Sequence, residues 1–315
     1  MNREILSRLL AQLPQPAPRL EDLHISLHWV IVNCHRYAMA TFIRPTNPFD
    51  ACYQPAYLGD QLGRPIPEIA DRFADSEDTL RLGLINACLN GSIPLPQDTF
   101  EANAVDPFAD FIKHSRTCFI GHFPQAEIWR AQGHPVTIIE LQPRNGDISW
   151  ADSKPVLREA EIVFITGLTL LNNTFLEVLD RTPRARYRVL LGRSVPFSSM
   201  FFEYGIHLVG TTRIADAALA LRYCQHGGTN VHQAPPGALR LVNVTNQPAL
   251  KAELARLRQQ PKDPSPKYPR PLVPSALLAA AQRLSSRRNS RNPSSMAAWL
   301  CSSIRRYNTT TSRPT

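Results

Sequence analysis

Five short apolar runs, spaced by segments of helical length, constrain this chain more than any other feature. They are TCFIG (117–121), PVTIIEL (135–141), EIVFITG (161–167), YRVLLG (187–192) and GIHLVG (205–210). Each has the length of one strand and is too short for a buried helix. Helices fit between them at roughly 124–132, 153–158, 172–180 and 197–203. Strands that are apolar throughout and alternate with helices make a parallel sheet covered on both faces. Right-handed crossovers then wind it in both directions. The expected class is α/β, a Rossmann-like, doubly wound, mostly parallel sheet.

The residues before this region follow another pattern. MNREILSRLLAQLPQP reads as a short amphipathic helix with Ile5, Leu6, Leu9, Leu10 and Leu13 on one side. LHISLHWVIV (23–32) alternates like one strand, with Leu23, Ile25, Leu27, Trp29 and Ile31 on one face and His24 and His28 on the solvent side. RYAMATFI (36–43) is its hairpin partner, and the proline-rich RPTNPFDACYQPAY is a loop. PIPEIADRF and EDTLRLGLINACLNG read as helices, the second capped by Asp75 or Ser76 and stopped at Asn90-Gly91. We therefore expect a small α+β domain over 1–100, the α/β domain over 101–258, and a proline-rich linker with a basic, disordered tail over 259–315.

Charge supports that division. The net charge of +9 resides wholly in the tail, which from Pro261 onward holds ten Lys/Arg and one Asp, while residues 1–260 carry 25 of each sign. Nucleic-acid binding is thus a weak reading confined to the tail. No stretch has the roughly 20 apolar residues of a membrane span, and the start lacks a signal-peptide pattern, so the expected location is cytoplasmic. The scattered cysteines, with no CxxC pair, read as buried free thiols.

In a doubly wound sheet, ligands bind beyond the carboxyl ends of the strands, where strand order reverses. That rule selects Gly121-His122, Glu140, Thr166 with Thr169 and Asn172, Gly192-Arg193-Ser194, and Gly210-Thr211-Thr212. Gly121 and Gly192 also suit tight turns, and Thr169, Asn172 and Ser194 suit helix caps. Glu140 stands 19 positions after Gly121, the spacing of a ribose-binding acid, but GHFPQA lacks the later glycines of a dinucleotide loop. NAD is therefore not expected. His122 on the first strand's loop can ligate a metal or move a proton. Cys224, His226 and His232 match no closed zinc pattern, and no nucleophile elbow, Walker loop or HExxH occurs.

LRLGLINACLN (80–90), FIGHFP (119–124), IELQPRNGD (139–147), ITGLTLLNNTFLEVLD (165–180) and LLGRSVPFSSMFFEYGIHLVGT (190–211) occur in order, and together they resemble the "putative heavy-metal chelation" family over about residues 10–245. The resemblance implies an enolase N-terminal-like domain joined to a Rossmann-like one, with a cleft between them that handles a metal or metal chelate. By motif it implies ligand-binding roles for Asn86, His122, Glu140, Thr166, Thr169, Asn172 and Ser194. Arg193 and Val195 depart from the family's usual LGPSTP, adding a cation and removing a hydroxyl.

Two functions follow as expectations. In the first, the cleft binds a transition metal or a small anionic metal complex, with His122 and Glu140 as ligands among oxygen donors. In the second, an enzyme acts on a small anionic metabolite, with His122 as acid or base and Glu140 orienting it. Metal identity, turnover and oligomeric state are not specified by the sequence.

Overall fold

The computed structural model describes residues 3–42, 58–72, 78–92, 99–144 and 146–259, which belong to one compact unit. The proline-rich loop, the expected cap at Asp75 or Ser76, Cys52, Cys301 and the tail from 260 onward lie outside the described residues.

The apolar runs form strands as expected. In chain order these are β5 (Thr117–Ile120), β6 (Val136–Glu140), β8 (Ile162–Thr166), β9 (Tyr187–Leu191) and β10 (Leu208–Ile214), preceded by β1 (Asp22–Ile25), β2 (Trp29–Asn33), β3 (Tyr37–Thr41) and β4 (Phe100–Glu101). β7 (Ile148–Ser149) and β11 (Leu239–Thr245) complete the set. The large sheet runs β4-β11-β10-β9-β8-β5-β6-β7. All pairings from β10 to β7 are parallel, whereas β11 and β4 are antiparallel additions at one edge. Counted from β5, the six parallel strands follow the order 3-2-1-4-5-6, the doubly wound arrangement. Strand order therefore reverses between β5 and β8.

Alternation along each strand supplies both faces. Cys118, Ile120, Val163, Ile165 and Leu190 enter one core with residues of the N-terminal region, including Ile5, Leu9, Val30, Val32, Leu82 and Ile85. Phe119, Ile138, Phe164 and Val189 enter the other core, under Phe108, Ile112, Ala126, Leu250 and Leu254. Phe119 and Phe164 stack across β5 and β8 with centroids 4.4 Å apart. Burial on both faces is why these strands read as unbroken apolar runs.

Three local expectations are corrected. Residues 23–32 form two strands, because the Ser26 amide and hydroxyl both donate to the Trp29 carbonyl and turn the chain, leaving Leu27 exposed. β1 thus pairs antiparallel with β2, which also pairs with β3. The helix at 197–203 is a 3-10 helix (Ser199–Tyr204), and the one expected from 172 begins at Phe175 after a short turn of helix over Leu168–Leu171. Finally, Asp78–Asn86 is α-helical but continues as a π-helix through Ser92. That widened turn buries Asn90, whose amide nitrogen donates to the Val195 carbonyl at 3.1 Å and whose oxygen accepts from the Phe197 amide at 2.7 Å.

β2 also alternates between cores. Val30 and Val32 face the common core, while Trp29 and Ile31 pack with Met39 and Cys224. Cys34, Cys88, Cys118 and Cys224 are buried free thiols, as their apolar settings led us to expect. Among the described residues, no helix is long and apolar enough to cross a membrane.

Candidate functional site

A cleft of about 490 Å³ opens at the carboxyl ends of β5, β6, β8 and β9, where strand order reverses. Gly121, His122, Glu140, Thr166, Thr169, Asn172, Gly192 and Ser194 all line it, together with Thr41 at the end of β3. Gly121 (φ +102°) and Gly192 (φ +129°) hold left-handed backbone, so their turns need glycine. At Gly121 a Cβ would also come within 2.9 Å of Thr166, so the two loops at the switch point meet closely.

The hydroxyls serve the walls before any ligand. Ser194 Oγ accepts from the Thr41 amide at 2.9 Å and donates to Thr41 Oγ1 at 3.0 Å, tying the β9 loop to β3. Thr169 Oγ1 donates to the Thr166 carbonyl at 2.8 Å, and Asn172 Oδ1 accepts from the Thr174 amide at 3.2 Å. Thr211 and Thr212 line the cleft from within β10, which runs on past them to Ile214. Asn86 is elsewhere: it is buried and not on the lining, and its amide donates to the Met39 carbonyl at 3.0 Å and the Arg193 carbonyl at 3.4 Å. The residue that the family resemblance marked for ligand contact thus braces the loop carrying Arg193.

Beside the cleft, His122 gathers two carboxylates the sequence did not point to. Its Nε2 lies 2.9 Å from Glu127 Oε1 and its Nδ1 lies 3.8 Å from Asp147 Oδ2. Glu127 arrives from the first turn of helix Pro124–Ala131, and Asp147 from the loop between β6 and β7. Arg130 holds the far oxygens, with Nη2 donating to Glu127 Oε2 at 2.7 Å and Nη1 donating to Asp147 Oδ1 at 2.8 Å. Burial pushes the Asp147 carboxyl up, but the Arg130 hydrogen bond, the Arg144 amide and nearby positive charge outweigh it, leaving the carboxyl below its ordinary value. One ligand atom each from His122, Glu127 and Asp147 lies within 4.8 Å of the others, the cluster of this kind found among the described residues.

This donor set fits a divalent transition metal on two counts. His122 Nδ1 is buried with no hydrogen-bond partner, and it faces a carboxylate oxygen across a gap too long for a hydrogen bond. Arg130 orients both carboxylates by their other oxygens, as outer-shell partners of metal ligands do. Glu140 lies outside the converging set. It stands in the cleft, where burial raises its carboxyl above the ordinary value against the pull of His122 and the Leu141 and His122 amides.

Residues 103–243 match the DUF364 family. The family's description is "Putative heavy-metal chelation", and the matched span contains the switch point, all three clustered residues and most of the cleft. The chain is also 30% identical over 175 residues to an uncharacterized protein of Methanocaldococcus jannaschii, covering 52% of this chain and 64% of that protein's length. Two crystal structures of DUF364 proteins with unknown function share the fold. One, from Desulfitobacterium hafniense, has a TM-score of 0.63 at 19% identity, covering 77% of this chain and 98% of its own. The other, from Pyrococcus horikoshii, has a TM-score of 0.59 at 18% identity, covering 77% and 97%. At that identity the likeness concerns architecture, which the DUF364 structures share well beyond residues 103–243.

Sequence reasoning missed Glu127 and Asp147 for a definable reason. Glu127 is five positions after His122, and Asp147 twenty further on, which matches no metal-ligand spacing read from sequence. The available signal was placement: both follow the ends of β5 and β6, neighbouring strands on one side of the switch point.

Proposed function

We propose that this chain holds a transition-metal ion, free or as a small complex, at His122, Glu127 and Asp147, with the rest of the complex in the adjoining cleft. The observation that carries the reading is the orphaned His122 Nδ1 facing Asp147, within a cluster whose two carboxylates Arg130 already orients. The description of the DUF364 family supports it. Nitrogen and oxygen donors suit borderline divalent ions rather than thiolate-seeking ones. Cys118 does not change that, because burial pushes its thiol up to about 12. Bound there, such an ion supplies a positive centre for donor atoms of a second ligand, while the hydroxyls and the half-buried Glu140 line the space that ligand would fill.

A second reading, turnover of a small anionic metabolite, is favoured by one observation. A carboxyl raised by burial beside an imidazole is a common arrangement for proton transfer.

Elemental analysis and native mass spectrometry of untagged protein test the first reading. We expect a stoichiometric metal or metal-complex mass that His122→Ala and Asp147→Asn each lose. Protein that stays metal-free after incubation with Zn²⁺, Ni²⁺ and Co²⁺ would overturn it and shift weight to the second reading.

A further inference from the structure

The opposite wall of the cleft carries a charge with no counterpart among the described residues. Arg193 follows Gly192 at the end of β9 and lines the cleft. Its guanidinium carbon lies 4.0 Å from the centroid of the Trp29 ring, and Nη1 donates to the Thr229 carbonyl at 2.7 Å. Among the described residues it has no carboxylate partner, and Glu140 is the sole carboxylate lining the cleft. A guanidinium offers five N–H donors in a planar fork, of which the protein uses one side. The floor beneath it is fixed, since Trp29 is fully buried and its indole N–H donates to the Gly228 carbonyl.

We propose that Arg193 is the receptor for an oxyanion group, a carboxylate or a phosphate, on the molecule that the cleft takes. The inference rests on the cleft being the ligand site, but not on the metal. An arginine held over an aromatic ring with one side of its fork unused is suited to recognition of planar or tetrahedral oxyanions. Ser194, Thr212, Thr229 and Asn230 line the same cleft, adding neutral hydrogen-bonding groups rather than acids. Burial pushes the guanidinium down to about 10 against the pull of Tyr223 and Cys224, which marks a desolvated charge. Its field also reaches His232, which burial and then Arg193 hold below the ordinary imidazole value. The molecule taken by the cleft is therefore an acid-bearing one, a chelator or a metabolite.

Calorimetric titration of the metal-free full chain with inorganic phosphate, and separately with citrate, tests this. The wild type should bind at least one of them, phosphate preference assigning a phosphate-bearing ligand and citrate preference a carboxylate. Arg193→Gln should weaken that binding by roughly tenfold or more, the loss of a charge-assisted pair. Arg193→Lys should fall between, because an ammonium keeps the charge but not the fork. If Arg193→Gln melts early by circular dichroism, the comparison passes to Arg193→Lys, and affinity equal to wild type overturns the proposal. So does the absence of binding to either oxyanion at millimolar concentration. The titration uses no metal and reads oxyanion binding alone, so the metal reading can fail by mass spectrometry while this one stands, and the reverse.

Discussion

The two sides of the cleft handle charge in opposite ways. At the ends of β5 and β6, His122, Glu127, Arg130 and Asp147 form a closed set in which each carboxylate has one oxygen toward the guanidinium and the other toward the imidazole. At the end of β9, Arg193 has an aromatic ring and one carbonyl, and no carboxylate among the described residues. The first arrangement sets two carboxylates against one guanidinium and so keeps a negative excess toward the imidazole. The second is desolvated and waits for charge from outside. Substitutions that unbalance the first wall should therefore cost stability, whereas those that remove charge from the second should cost binding alone.

The largest expected effect follows from that contrast. Arg130→Met leaves both the half-buried Asp147 carboxylate and Glu127 without their shared partner, and losing two charge-assisted hydrogen bonds costs about 3 kcal/mol. Added Zn²⁺ should recover much of the loss in a thermal melt, since a cation can replace the guanidinium. The pH dependence has a definite sign. Asp147 is held below its ordinary value, so its contribution is present above the unfolded carboxylate range, about 3.9, and is lost as pH falls through the lower folded value. In Arg130→Met that loss should begin at higher pH.

A smaller loss is expected behind the Arg193 wall. Asn90→Ala removes the side chain that holds the Val195 carbonyl and the Phe197 amide, at a cost of about 1–3 kcal/mol in chemical denaturation. Because this is the loop after Arg193, the variant should also weaken oxyanion binding while leaving metal affinity unchanged. The smallest effect belongs to Glu140→Gln. A carboxyl raised by burial favours the folded state at low pH, and that contribution is lost as pH rises through the folded value. The variant should therefore match wild type near pH 4 and be the more stable of the two at pH 7, by melting temperature.

The sequence announced the sheet more clearly than the site. β5, β6, β8 and β9 are buried on both faces, so each is an apolar run that admits little else, and their ends defined the cleft before any contact was known. β11 was harder to see, because this antiparallel strand begins with alternation (Leu239, Arg240, Leu241) rather than as an unbroken apolar run. The turn at Ser26 escaped notice because a hydroxyl and an amide make it, without glycine or proline. Asn86 and Asn90 sit in an apolar helix, where only the tertiary partners reveal that their amides brace the β9 loop. Glu127 and Asp147 became partners of His122 through a helix turn and a loop that the strand-end rule does not resolve residue by residue.

The central claim concerns where a metal sits. Crystals soaked with Co²⁺ or Zn²⁺, with data collected at the metal's absorption edge, locate it directly. The account predicts one anomalous peak within bonding distance of His122 Nδ1 and of oxygens from Glu127 and Asp147, absent in Asp147→Asn. A peak on Cys224, His226 or His232, or no peak in the wild type at a metal concentration that saturates it in solution, would contradict the account.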